Sequence, residues 1–305
     1  MNKEKILYLA KKSLRFLPDK MYVKLYFRLR LGRKLDMHNP VTLNEKLQWM
    51  KFNYRFPLQT IVSDKLLVRS FVARKVGNEY LIPLLGKWDS FDDIDFSKLP
   101  NKFVLKCNHD SGGLVICKDK DSFNVSKARK IINASLSTNF YYIGREYQYR
   151  NIVPKIICEQ FISDGDNIPI DYKIYCFNGQ PDAILVCKDR FSNESHKAKY
   201  YFYNQEWKFL PLNKGDDISG DPKIEKPKNF ETMIKIASVL SSEFYFARID
   251  LYNISGKIYF GEITLCPNSG FDADITYSTD LAFGRKLFIP LLGDSTDNMS
   301  DEIFK

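Results

Sequence analysis

Apolar residues along the chain change period once, near residue 80. Before it they recur at helical spacing. Ile6, Leu7, Leu9, Leu14 and Leu17 predict an amphipathic helix that Pro18 ends. Met21, Leu25 and Leu29 form a second apolar stripe, with Lys and Arg filling the gaps of a helical stretch over 3–31. Thr42-Leu-Asn-Glu45 has the spacing of a capping box and opens a helix through Leu47, Trp49 and Met50. Ser63 reads as the start of another helix, Asp64 to Lys75, with Gly77 as its C′ residue.

After residue 80 the pattern is strand-like, interrupted by few helices. Tyr80 to Gly86 is an extended apolar segment, Phe103–Cys107 and Leu114–Cys117 are strands, and 126–139 is helical. Lys155 to Ile162 is a strand. Residues 170–189 form a hairpin whose Asn178-Gly179 turn places Phe177 opposite Gln180 and Lys173 opposite Ile184. Two short aromatic strands fall between Tyr200 and Leu210, and 213–229 is an exposed loop. A helix over 230–242 leads into a second hairpin, 248–264, and a helix over 279–292 closes the chain.

The polar exceptions inside these strands carry the candidate chemistry. Arg248 and Asp250 lie two apart on one strand, and Glu262 and Thr264 two apart on the next, so each pair shares a face. A three-residue loop at Ser255-Gly256-Lys257 places Asp250 opposite Glu262. Facing carboxylates repel unless a positive charge sits between them. Mg²⁺, which takes one or two carboxylates together with substrate phosphates, is one such charge; the alternative is an ordinary hairpin with both carboxylates in solvent. Lys106, inside an apolar strand, precedes the Ser111-Gly112-Gly113 loop. A lysine beside a glycine loop with free N–H groups suits a phosphate. Lys173 is a second strand-borne cation, and an ion pair between Lys188 and Asp171 is the ordinary reading of that corner. Glu159, at the end of its strand, is placed to accept hydrogen bonds from an adenine amine or ribose hydroxyls, or else to sit exposed. The turn at Pro267-Asn268-Ser269-Gly270 offers backbone donors and the Asn268 amide to a developing anion. His109 reads as a loop hydrogen-bonder.

Composition narrows the picture further. The 305 residues suffice for two or three lobes. A net charge of +9 favours an anionic partner without choosing one. The aromatics are spread through strand cores rather than gathered into a stacking surface, which argues against nucleic acid. Six cysteines without a C-x-x-C pair read as reduced, buried residues of a cytosolic protein. No signal peptide is evident, and no apolar run reaches the ~18 residues of a membrane span. The basic N-terminal helices are either a cap on the core or a means of peripheral attachment to an anionic membrane face.

These segments, in order, resemble the ATP-grasp superfamily, and within it the TupA-like ATP-grasp proteins of bacterial surface-polysaccharide biosynthesis. The likeness is carried by Thr42–Trp49, Ser63-Asp-Lys65, Tyr80–Gly86, Phe103–His109, Asp171–Gly179, Arg248–Tyr252 and Tyr259–Thr264. It implies a helical segment at 1–62, an N-lobe at 63–162 and a C-lobe at 163–305, the two α+β lobes clamping ATP. It assigns Lys106 and the 111–113 loop to the phosphates, Glu159, Gln160, Phe161 and Ile162 to the adenine hinge, and Lys173 to phosphate. Asp250 and Glu262 would bind Mg²⁺, and Arg248, with Lys173 and Asn268, would serve the reaction. Two departures stand out. Thr264 occupies a position where the superfamily often has a metal-binding Asn, with Asn268 as a substitute, and Asp110 falls where related loops favour Gly. The implied activity joins a carboxylate to an amine through an acyl phosphate, with a sugar of a surface glycan as acceptor. The competing readings are an ATP-grasp kinase, and a glycosyltransferase using Asp164-Gly-Asp166 or Asp272-Ala-Asp274.

Overall fold

The computed structural model describes residues 14–163, 168–188, 198–216 and 220–290. Helices come first: α1 (Asp19–Leu31), α2 (Leu43–Asn53), α3 (Pro57–Ser63) and α4 (Val68–Lys75). The predicted capping box opens α2, with Thr42 Oγ1 accepting the Glu45 N–H at 3.3 Å and Glu45 Oε2 accepting the Thr42 N–H at 3.0 Å. Ser63, however, ends a helix instead of starting one. Asp64 is extended, and its Oδ1 accepts the N–H groups of Leu66 and Leu67 at 2.7 and 3.2 Å. A short acidic side chain competing for backbone donors turns the chain where the apolar spacing predicts continuous helix. Gly77 follows α4 with φ 119° and ψ 155°, so it leaves the helix extended rather than as a left-handed cap.

Of the two predicted N-terminal apolar stripes, the second is on the wrong face, whereas Leu14 and Leu17 of the first pack against the core. Ile6, Leu7 and Leu9 lie outside the described residues. Met21, Leu25 and Leu29 are 57, 40 and 47% exposed. α1 instead buries Tyr22, Val23, Tyr26 and Phe27 against Leu35 and Phe271. Three aromatic rings offer far more apolar area than three aliphatic side chains, so they take the core.

Two antiparallel sheets follow. The smaller contains β1 (Leu84–Trp88), β2 (Phe103–Cys107), β3 (Leu114–Cys117) and β4 (Ile156–Gln160) in the order β1-β4-β2-β3. Phe103, Leu105 and Cys107 of β2 point to one face, where Ala128 and Ile132 of α5 (Val125–Leu136) cover them. Lys106 alternates to the opposite face. A short helix, α6 (Tyr141–Gly144), precedes β4.

The larger sheet contains β5 (Asp171–Phe177), β6 (Gln180–Lys188), β7 (Lys199–Tyr203), β8 (Phe209–Leu210), β9 (Phe246–Ile254) and β10 (Lys257–Thr264), ordered β10-β9-β5-β6-β7-β8. Its Tyr172, Ile174 and Cys176 face packs on α7 (Phe230–Ser241). On the other face, α2 and α8 (Tyr277–Lys286) cover Tyr175 and Phe177. That cover ends before Lys173 and Asp171, and the candidate site begins there. α8 starts at Tyr277, capped by Thr276, and ends at Lys286, shorter than the predicted 279–292.

Both hairpins show why register is hard to read. Asn178 and Gly179 have φ 49° and 76°, as a two-residue type I′ turn requires, and Phe177 pairs with Gln180. A bulge between Tyr175 and Cys176 on the β5–β6 ladder, beside Pro181, then moves Lys173 from Ile184 to Leu185. In the second hairpin Asp250 does pair with Glu262, but by another route. The turn holds two residues, Ser255 and Gly256 (φ 52° and 96°), and a bulge at Gly261 supplies the extra residue. A Cβ on Gly261 would lie 3.0 Å from the Asp250 carbonyl, so a side chain there would press on the bulge.

Candidate active site

A cavity of about 1250 Å³ opens between the sheets, walled by Ser111 and Gly112 on one side and by Lys173, Arg248 and Glu262 on the other. A second, of about 110 Å³, shares Lys65, Asp110, Ser111 and Glu262 with it and adds Lys106, Asp171 and Asp250. Lys106, Lys173, Arg248, Asp250 and Glu262, singled out from sequence, therefore converge, although Lys106 and Glu262 lie 156 positions apart.

The charge between the facing carboxylates is supplied by the protein itself. Arg248 donates from Nε to Asp250 Oδ1 at 2.7 Å and from Nη2 to Asp250 Oδ2 at 2.7 Å. The same Nη2 meets Glu262 Oε1 at 3.3 Å and Thr264 Oγ1 at 3.1 Å. Thr264 in turn donates to Glu262 Oε1 at 3.2 Å. Thr264 thus orients Glu262. Lys173 reaches Asp250 Oδ2 with a close ion pair and Asp171 Oδ2 at 2.6 Å, because β5 lies beside β9 with Lys173 opposite Asp250. The predicted pair of Asp171 with Lys188 gives way to this one. Burial opposes the Lys173 ammonium, but the Asp250 and Asp171 carboxylates outweigh it and raise its pKa.

Across the cavity, the 108–113 loop is tied to α5 through Asp110. The Gly113 N–H is donated to the Asp110 carboxylate at 3.1–3.2 Å, and Ser135 of α5 donates to the same group. Gly113 is buried, and a Cβ there would collide with Ser135. Only Ser111 and Gly112 of the three predicted loop residues are exposed. Asp110, which stands where related loops favour Gly, organises the loop. His109 Nε2 meets the Thr138 carbonyl at 3.0 Å, a loop bond.

The sequence reads Lys65 as a surface lysine in the first turn of a helix, with a ligand role as the alternative, and does not assign it to the site. Lys65 follows the Asp64 turn, lines both cavities and donates to the Asp110 carbonyl. Burial lowers its pKa, against the opposing pull of Glu262. No periodic signal marks it, since it sits where the predicted helix is broken. Glu146 was missed for a similar reason, lying in an irregular stretch. It is buried, lines the larger cavity and accepts from Ser269 Oγ at 2.6 Å.

Residues 159–162 line neither cavity. Glu159 is buried and held by Lys106 at 2.6 Å and Arg69 at 3.3 Å, and the Gln160 N–H is donated to the Pro83 carbonyl at 3.0 Å. Phe161 and Ile162 continue past the strand end. Lys106 therefore has a protein partner, besides facing the smaller cavity. Asn268 lines the larger cavity from a turn in which Asn268, Ser269 and Gly270 all have positive φ. Lys51 of α2 fixes this turn by donating to the Ser269 carbonyl at 2.6 Å. Asp272 and Asp274 line the same cavity beyond that turn, whereas Asp164 and Asp166 lie outside the described residues.

Glu262, a hard oxygen donor exposed to both cavities, fits Mg²⁺, whereas both oxygens of the opposed Asp250 are taken by Arg248 and Lys173, so Asp250 fits a metal only by exchanging one of those bonds. Among the described residues no group of three or more His, Cys, Asp or Glu is gathered for a metal. One or two carboxylates is the number Mg²⁺ uses when phosphates and water complete its shell.

The six cysteines are buried and none is in a disulfide, and no helix among the described residues is long and apolar enough to cross a membrane. No curated protein matches the chain by sequence. Among solved structures, D-alanine–D-alanine ligase from Bacillus anthracis, complexed with ATP, is 18% identical with a TM-score of 0.42, covering 67% of this chain and 55% of its own. The Helicobacter pylori D-alanine–D-alanine ligase is 13% identical with a TM-score of 0.45, covering 84% and 69%. The VanG D-Ala:D-Ser ligase from Enterococcus faecalis is 13% identical with a TM-score of 0.44, covering 74% and 60%. The chain thus spans little more than half the length of the first of these, and at such scores the likenesses carry no argument of their own. The family described as TupA-like ATPgrasp matches residues 45–288, most of the chain, including Lys65, Lys106, Lys173, Arg248, Asp250 and Glu262. The protein belongs to the TupA-like ATP-grasp family.

Proposed function

We propose that the protein is an ATP-dependent carboxylate–amine ligase, with segments 63–162 and 163–305 as the two lobes around ATP. One observation carries this reading: Lys65, Lys106, Lys173 and Arg248 surround the Asp250–Glu262 pair at the junction of the two sheets, in a member of an ATP-grasp family. Four cations suit a polyphosphate, and two opposed carboxylates suit the metal that accompanies it.

The chain's own groups divide the work. Lys65 and Lys106 present positive charge from the smaller-sheet side, with Ser111 and Gly112 nearest the opening. Lys173 and Arg248 present it from the larger sheet, where charge develops as a phosphoryl group is transferred to the substrate carboxylate. Asp250 and Glu262 would hold Mg²⁺, which when bound neutralises phosphate charge. Arg248 and Asn268 then face the acyl phosphate as an amine attacks it, forming the C–N bond and releasing phosphate. The adenine hinge at 159–162 belongs to this reading only if Glu159 exchanges its cation partners on binding. A surface-glycan sugar as acceptor and a cytoplasmic site of action complete the proposal. The test is ADP and phosphate release from Mg·ATP across a panel of carboxylates and amines, with the product identified by mass. Release that requires both substrates supports ligation. Transfer to a single substrate with no phosphate release indicates the kinase instead.

A further inference from the structure

Helix α1 carries two adjacent ridges on its exposed face. Lys20, Lys24 and Arg28 form one, and Met21, Leu25 and Leu29 form the other, each at four-residue spacing. All six are exposed, and the three apolar residues retain 40–57% of their surface. Phe16, one turn before the helix, is 81% exposed. Such a spacing drifts only about 40° per step, so both ridges stay on one side of the helix through its length. The single acid within α1, Asp19, is engaged by Tyr141 and Arg145.

The opposite face of α1 is fully committed. Tyr22, Val23, Tyr26 and Phe27 are buried, so the exposed ridges are not needed to hold the helix in place. An isolated exposed leucine needs no explanation, but three in register beside three cations form a surface that is apolar and basic at once.

We infer that α1 is a docking surface for an anionic lipid bilayer. The basic ridge meets the headgroups, and the apolar ridge enters the boundary beneath them. The charge of the whole chain, +9, acts in the same direction. Tyr26 and Arg30 of the same helix line the large cavity, so docking brings that cavity wall within about one helix diameter, ~10–12 Å, of the membrane. Three short apolar side chains and three cations make a weak, reversible and salt-sensitive contact.

Co-sedimentation of the full chain with phosphatidylcholine vesicles, with and without phosphatidylglycerol at about one third of the lipid, tests this. The protein should pellet with the mixed vesicles and not with phosphatidylcholine alone. M21S/L25S/L29S and K20S/K24S/R28S should each lower the partition coefficient at least about tenfold. Because these side chains are exposed, the melting temperature should stay within a few degrees. K118S/K127S/K130S removes the same charge from exposed positions elsewhere and should change the partition less than twofold. Loss in this control equal to that of the α1 variants would mean attraction by net charge alone and would overturn the inference. So would pelleting that survives M21S/L25S/L29S, or no binding by the unaltered chain.

Discussion

Arg248 and Asp250, two positions apart on β9, are joined by two hydrogen bonds of 2.7 Å each, with the guanidinium lying along the strand between two carboxylates. Both groups are buried or nearly so. The cation that separates Asp250 from Glu262 is thus built into the chain, and any metal must enter beside it. Lys matches neither the fork nor its reach to Thr264. R248K should lower ATP turnover about a hundredfold while the protein still folds, measured as ADP release beside a circular-dichroism melt.

The two carboxylates should respond differently to neutralisation. Asp250 is 2% exposed and lies between Arg248 and Lys173. D250N leaves those cations short of their anion, and the expected loss is about 3–5 kcal/mol of stability in urea unfolding. Glu262 keeps 36% of its side-chain surface, so E262Q should melt within a few degrees of the unaltered protein yet lose Mg²⁺-dependent turnover. Equal destabilisation by both would contradict the assignment of Asp250 to the buried network.

How far the site was legible in the sequence follows from such details. Asp250, Glu262, Lys106, Lys173 and Arg248 were visible because charge inside an apolar strand is costly and must have a purpose. Their true partners were not visible. The Gly261 bulge restored a pairing deduced from the wrong turn, while the bulge beside Pro181 displaced one deduced from the right turn. Alternation shows which face a residue occupies, but a single extra residue decides what it meets. Lys65 and Glu146 lay in irregular segments, where no period exists to read. The α1 stripe failed because apolar spacing fitted two faces, and only packing chose the aromatic one.

Lys65 makes the site sensitive to pH. Burial lowers the pKa of its ammonium below the ordinary lysine value, and the nearby Glu262 carboxylate only partly opposes this. As pH rises toward that lowered pKa, the positive charge that Lys65 presents to the cavities is lost. The ATP dissociation constant should therefore rise before pH reaches about 10.4, where an unperturbed lysine titrates. K65R, which keeps its charge, should give a flatter profile by calorimetry between pH 7.5 and 9.5.

Neighbouring glycines of the 111–113 loop should not be equivalent. A Cβ on Gly112 meets only Asp110 Oδ2, at 3.9 Å, whereas one on Gly113 runs into Ser135 of α5. G112A should leave stability within about 0.5 kcal/mol. G113A should cost about 1–3 kcal/mol by overpacking. Urea unfolding of the two variants checks this, and similar values for both would mean that the loop yields to a side chain at Gly113.

The most direct test of an ATP and Mg²⁺ site between the two sheets is a thermal-shift series on the unaltered protein and E262Q. It would use ATP with Mg²⁺, ATP with EDTA, and UDP-sugars with Mn²⁺. A ligand at 100 times its dissociation constant adds about 2.7 kcal/mol to stability, enough to raise the melting temperature visibly. The account predicts a rise with ATP that needs Mg²⁺ and is lost or much reduced in E262Q. Stabilisation by a UDP-sugar alone, or by ATP equally in EDTA and in E262Q, would contradict it.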